Sequence, residues 1–158
     1  MRCLTALMFM ATICCGSLAQ ESVNSAIDDV LDAYHAAAAA GDWAAYFDLM
    51  TEDGVFIGTD ASERWDKAEF ESYASATDGW VYIPRERHIN ITPDGNSAWF
   101  DEILTSRSYG TSRGTGVLVR TATGWKIAQY ALTFPIPNAL VGEMTESIKA
   151  WEANQSAN

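Results

Sequence analysis

Between Trp80 and Phe134 the chain repeats one pattern, a long run of alternating side chains followed by a short turn. In the first run Ile83, Arg85, Arg87, Ile89 and Ile91 alternate with Tyr82, Pro84, Glu86, His88 and Asn90. A period of two is the signature of an extended strand. The turn Pro93-Asp94-Gly95-Asn96 follows, then a strand over Ala98–Ser106, a turn at Tyr109-Gly110, and a strand over Arg113–Thr121. Ala122-Thr123-Gly124 closes a hairpin into a last strand, Trp125–Phe134, which Pro135-Ile136-Pro137 stops. Connections this short admit only antiparallel neighbours. The second half of the chain is therefore a four-strand meander, and one of its faces needs a cover.

The first half supplies that cover. Val23, Ile27, Val30, Leu31, Tyr34 and Ala37 recur every three or four residues and predict a helix over Glu21–Ala40, ended by Gly41. Asp42 caps a second, short helix carrying Trp43, Phe47 and Met50. Val55–Ile57 reads as a short strand and Trp65–Ala76 as a third helix, with Asp60 or Ser62 as its cap. Val141–Trp151 reads as a terminal helix. Helices first and a meander after them mean an α+β fold, with helices packed on one face of a curved antiparallel sheet.

Turn positions set the strand registers. The first hairpin places Arg87 opposite Glu102 and Ile89 opposite Phe100. The second is expected to place Glu102 opposite Val117, and the third Val117 opposite Gln129 and Arg113 opposite Thr133. Opposed residues share a face. Arg85, Arg87, Phe100, Glu102, Arg113, Val117, Gln129 and Thr133 are therefore expected on the inner face. Trp99, Leu118, Tyr130 and Leu132 are expected on the outer one, where exposed apolar groups suit a homodimer contact.

Met1-Arg2, the apolar run Cys3–Cys15 and the small residues Ser17 and Ala19 have the form of a signal peptide cut before Gln20. The expectation is thus a leader over 1–19 and a single exported domain over 20–158, periplasmic or secreted, with no membrane span in the mature form. All three cysteines, Cys3, Cys14 and Cys15, fall in the leader, so the mature domain has neither a disulfide nor a thiol nucleophile. The net charge of −11 argues against nucleic acid and anionic membranes as partners, because both need a basic face. The two histidines have no helical pairing and no acidic run matches a calcium loop, so no metal and no cofactor is expected.

Several stretches carry a family resemblance: Ala39-Ala40-Gly41-Asp42, Phe56-Ile57-Gly58-Thr59-Asp60, Ala98-Trp99-Phe100-Asp101-Glu102, Arg113-Gly114-Thr115-Gly116-Val117-Leu118 and Gly124-Trp125-Lys126-Ile127-Ala128-Gln129-Tyr130. In this order the chain resembles the SnoaL-like group of the nuclear transport factor 2 superfamily. The resemblance implies a cone-shaped barrel, in which a curved sheet wraps the long helix and leaves a pocket at the open end. It does not choose among isomerases, dehydratases, cyclases, hydrolases and binding or assembly modules. By analogy with ketosteroid isomerase, Tyr34 stands where an oxyanion donor would be. Gly58 takes the place of the carboxylate base, with Asp60 two residues on.

Two function classes follow. In the first, the pocket binds a small, mostly apolar molecule, with Trp43, Phe47, Phe56, Trp65, Arg87, Phe100, Arg113, Gln129 and Thr133 as candidate contacts. In the second, an isomerase or dehydratase type of proton transfer uses Tyr34 as donor and Asp60 or Glu102 as base. A structural ion pair is the plainer reading of Arg87 and Glu102, and helix capping that of Asp60.

Overall fold

The structure is a computed structural model. It describes residues 12–156, with side chains from 21 to 155. Residues 1–11 of the expected leader lie outside the described residues, as do the side chains of its remainder. The elements are α1 (Thr12–Ala40), α2 (Trp43–Asp48), β1 (Met50–Ile57), β2 (Arg64–Asp66), α3 (Lys67–Ala74), β3 (Tyr82–Ile91), β4 (Ser97–Ser106), β5 (Gly110–Thr121), β6 (Gly124–Thr133) and α4 (Val141–Ser156). The fold is α+β, as the alternation predicted, but the sheet has six strands in the order β2-β1-β6-β5-β4-β3. All neighbours are antiparallel except β1 and β6, which run parallel. The sheet curves around α1 without closing, so β2 and β3 remain its edges.

The stripe on α1 faces inward: Ile27, Leu31, Tyr34, Ala37 and Ala38 are all buried. Full burial of a side chain such as Ile27 or Leu31 contributes roughly 1.5–3 kcal/mol, which is how a helix of modest amphipathicity is held to the sheet. Several boundaries differ from expectation: α1 begins at Thr12 rather than Glu21, and Met50 opens β1 rather than lying on the short helix. Trp65 belongs not to a helix but to the short strand β2, where it pairs with Phe56. The third helix begins at Lys67 and is capped by Asp66, whose side chain accepts from the Glu69 amide while Glu69 reaches back, a reciprocal capping box. Asp60 and Ser62 therefore do not cap it.

The registers explain most of the inner surface. Arg87 pairs with Glu102 and Ile89 with Phe100, as the Pro93–Asn96 turn predicted, and β5 meets β6 with Val117 opposite Gln129 and Arg113 opposite Thr133. The β4–β5 register differs from the predicted one by three residues, with Glu102 opposite Gly114 and Val117 opposite Trp99. The cause is the turn. Ser106 pairs with Gly110, so the loop is only Arg107–Tyr109. Gly110 supplies the positive φ (71°) that ends such a loop, and Ser106 Oγ accepts the amides of Ser108 and Tyr109 at 3.3 Å.

An odd shift moves every side chain of the strand to the other face. Arg113, Thr115, Val117, Gln129 and Thr133 thus face outward. Ser112, Gly114, Gly116, Leu118, Tyr130 and Leu132 face inward. Of the four residues expected on a dimer surface, only Trp99 is exposed, at 50%; Leu118 and Tyr130 are core residues. A bulge between Pro84 and Glu86, where proline lacks the ladder N–H, turns Ile83 and Arg85 out of the interior as well.

Gly114 lies directly under the inner side chains. A Cβ there would run into the Tyr130 hydroxyl and stand 2.9 Å from Glu102 Oε1. Gly114→Ala is therefore expected to lower stability by about 1–3 kcal/mol, the range for overpacking a tight core. Gly142→Ala in α4, where a Cβ meets nothing within 4 Å, should not lower it. Urea unfolding of the two variants checks this, and equal midpoints would contradict the register.

Candidate functional site

Two groups of side chains occupy the inside of the cone, one at its floor and one at its mouth. The floor is built on Glu102, which is 0% exposed. Its Oε1 lies 2.7 Å from His35 Nε2 and accepts from the Tyr130 hydroxyl at 2.8 Å. Its Oε2 accepts from Arg87 Nε at 2.9 Å, and Arg87 Nη2 lies at the same distance. Arg87 continues outward: Nη1 donates to Asp28 Oδ1 and to Asp32 Oδ1, each at 2.9 Å, on the exposed side of α1.

Burial by itself would raise the Glu102 pKa. The hydrogen bond from His35, the positive charges of His35 and Arg87 and the Tyr130 hydroxyl outweigh it, and the carboxyl is held below the usual carboxylate range. An ionised carboxylate only accepts, so His35 Nε2 carries a proton toward it. Tyr130 is pushed well above the ordinary phenol value, first by burial and then by the charge of Glu102, and stays a neutral donor.

Tyr34 stands beside this cluster but is used elsewhere. Its hydroxyl accepts from Tyr46, the two rings stack at 3.9 Å, and burial raises its pKa. Phe47 and Phe100 are buried core residues. Trp43 packs on Trp80 at 4.6 Å and donates Nε1 to the Thr77 carbonyl at 3.3 Å. A base has to reach the proton that it takes. Glu102 is buried and both its oxygens are engaged by His35, Tyr130 and Arg87, the arrangement of a framework carboxylate, while Arg87 Nη2 and Ser112 Oγ are buried without hydrogen-bond geometry to any partner.

Asp60 is far from this layer in role. It is exposed, and Oδ1 accepts from the Ser62 hydroxyl at 2.6 Å and the Ser62 amide at 2.8 Å, which lowers its pKa. It shapes the turn between β1 and β2. Tyr34, Asp60 and Glu102 do not face a common space. Arg113 and Thr133 are exposed on the outer face, and Gln129 is half-buried there.

The mouth holds an open-sided cavity of about 220 Å³ lined by Phe56, Gly58, Thr59, Glu63, Trp65, Phe70, Tyr73, Trp80, Tyr82, Tyr109, Leu132 and Phe134. Phe56 and Trp65 are the two candidate contacts named from sequence that line it. The remaining walls come from segments that the sequence does not visibly connect. Trp65 stacks on Phe70 at 5.6 Å and on Tyr73 at 4.9 Å, and Tyr109 stacks on Phe134 at 4.6 Å. The bulge in β3 is what brings Tyr82 inward in place of Ile83.

Gly58 matters through the space that it leaves. A Cβ there would run into the Glu63 carboxylate and lie 2.8 Å from the Glu63 Cβ. The Glu63 side chain thus packs over Gly58, and its Oε2 accepts the Asp60 amide at 3.1 Å. Among the described residues no three His, Cys, Asp or Glu side chains gather to hold a metal ion, and no helix is long and apolar enough to cross a membrane.

Comparison with known proteins agrees with this geometry. The SnoaL-like domain family matches residues 27–137. No curated protein matches the chain significantly. An NTF2-like protein with a cystatin-like fold from Novosphingobium aromaticivorans superposes with a TM-score of 0.66 at 17% identity, over 84% of this chain and 95% of the other. A candidate aromatic ring hydroxylase from the same organism gives 0.61 at 20% identity, over 74% and 92%. A candidate dehydratase of the NTF2-like family from Streptomyces avermitilis gives 0.61 at 16% identity, over 75% and 99%. At these identities the likeness concerns the fold alone.

If the floor is framework, its loss should appear as instability. Glu102→Gln removes the buried counter-charge of Arg87, whose side chain is 9% exposed and keeps only Asp28 and Asp32, and should cost about 1–3 kcal/mol. Glu86→Gln, at an exposed pair with His88, should cost little. Because the folded-state pKa of Glu102 is depressed, its contribution is present above the ordinary value of 4.5 and is lost as pH falls through the lower folded value. The gap between wild type and Glu102→Gln should therefore narrow in acid below pH 4.5. A gap in unfolding free energy that is constant from pH 7 to 3 would contradict this.

Proposed function

Since the chain belongs to the SnoaL-like domain family, we propose that it is an exported binding domain whose mouth pocket takes a small, mostly apolar, ring-sized molecule. The observation that carries this reading is the composition of the cavity: eight of its twelve lining residues are aromatic. Pockets for drug-sized ligands run to roughly 300–1,000 Å³, and about 220 Å³ suits one ring with short substituents. The floor supports the same reading, because the Glu102 carboxylate is already engaged by His35, Arg87 and Tyr130.

Titration with benzyl alcohol, followed by tryptophan fluorescence, tests the pocket. Trp65→Ala should weaken binding roughly tenfold, the equivalent of about 1.4 kcal/mol, while Trp99→Ala on the outer face should leave it unchanged. Equal effects of the two variants would move the site away from the mouth.

Export rests on the leader Met1–Ala19. Intact-mass analysis of the protein recovered outside the cytoplasm should give a chain beginning at Gln20, and recovery with Met1 still present would remove this part of the reading.

A second reading is favoured by one observation, the Glu63 carboxylate lying over Gly58 within the pocket wall. It is proton transfer of an isomerase or dehydratase type, with Glu63 as the base rather than Asp60 or Glu102. Turnover of a small carbonyl substrate that disappears in Glu63→Gln would favour it over simple binding.

A further inference from the structure

Glu63 is the one Asp, Glu, Lys, Arg or His among the residues lining the mouth pocket. It is half-buried, and its contact with the Asp60 amide uses one carboxylate oxygen. Among the described residues it forms no ion pair with a Lys, Arg or His. Glu102 has Arg87 and His35, Glu52 has Lys67 and Asp48 has Lys126, whereas carboxylates in no ion pair, such as Asp42, Asp53 and Asp94, are exposed and do not line the pocket. A carboxylate without a counter-charge at the open side of a wall of aromatic rings is available to a cationic group of a ligand.

The chain order explains the placement. Glu63 and Trp65 are two residues apart on an extended segment, so both side chains point to the same side. Arg64 between them is exposed. The arginines that an acidic ligand would need are elsewhere: Arg85 is exposed and donates to Thr111 Oγ1 at 3.3 Å, and Arg113 is on the outer face. Neither lines the cavity. Aromatic rings carry negative charge on their faces and attract a desolvated cation, most of all one too bulky to hold its water tightly. The overall charge of −11 adds a favourable long-range field for a cation.

We propose that the mouth pocket binds a small organic cation, an ammonium group bearing apolar substituents, with the Glu63 carboxylate as its counter-charge and the surrounding rings as its cage. This rests on the binding reading given above and specifies the charge of the ligand.

Three probes of similar size separate the two claims on the full chain: benzyltrimethylammonium, benzyl alcohol and benzoate, each titrated calorimetrically at low salt. The expected order is benzyltrimethylammonium tightest, benzyl alcohol about tenfold weaker, benzoate weakest. Glu63→Gln, matched in shape and checked for an unchanged melting temperature, should weaken the cation by about tenfold and leave benzyl alcohol within about twofold. Benzyl alcohol or benzoate binding as tightly as the cation to the wild type would overturn the inference while leaving the binding reading intact. Failure of all three probes to bind would overturn both. The wild-type series decides the matter even if the Glu63 variant is unstable.

Discussion

One buried carboxylate ties the sheet to the helix that it wraps. Glu102 stands on β4, and its partners come from α1 (His35), β3 (Arg87) and β6 (Tyr130). Through Arg87 the same network reaches Asp28 and Asp32 on α1. A charge at this depth is tolerated only when its lone pairs are filled, and once filled it specifies a single arrangement of the elements around it. Much local sequence follows from that. Gly114 sits opposite because a side chain there would collide with Tyr130 and Glu102, and Gly116 gives the Phe100 ring its place.

Fixing the floor leaves the mouth free to differ in chemistry. Toward the open end the interior changes from charged to aromatic, from Tyr34 and Tyr46 through Phe70 to Trp65, Trp80 and Tyr73. Stacked and edge-on rings fill volume with few rotamers to lose, so the wall can be rigid without further polar contacts. Where this wall ends, the only carboxylate that remains without a cationic partner among the pocket residues is Glu63. In the proposed reading a framework carboxylate and a ligand-facing carboxylate occupy one cone, and what distinguishes them is that the protein supplies a cationic partner to Glu102 and none to Glu63.

The sequence and the structure agree where local chemistry decides. Alternation defines the long strands, the Pro93–Asn96 turn fixes the Arg87–Glu102 pair, and the stripe on α1 defines its buried side. Disagreement begins at features whose outcome depends on one or two residues. The Ser106–Gly110 turn is shorter than its composition suggests, and that alone turned β5 over. Pro84 breaks the ladder and exchanges Ile83 for Tyr82. His35, which flanks the apolar stripe one turn after Leu31 and reads from sequence as a surface or interface histidine, is instead buried, because Glu102 on β4 supplies it with a partner that only the fold brings near. The pocket itself was less legible, since Trp65, Trp80, Tyr109 and Phe134 come from separate segments and meet only through the curvature of the sheet.

The central claim is that ligand chemistry belongs to the mouth while the floor stays closed. The six tryptophan indole N–H resonances report on it directly, because Trp65 and Trp80 line the mouth, Trp125 is buried on β6, and Trp99 and Trp151 are exposed elsewhere. In an NMR titration with benzyltrimethylammonium, the account predicts that Trp65 and Trp80 shift together and saturate, that Trp43 follows weakly through its contact with Trp80, and that Trp99, Trp125 and Trp151 stay in place. A saturating shift at Trp125 with Trp65 and Trp80 unmoved would contradict it.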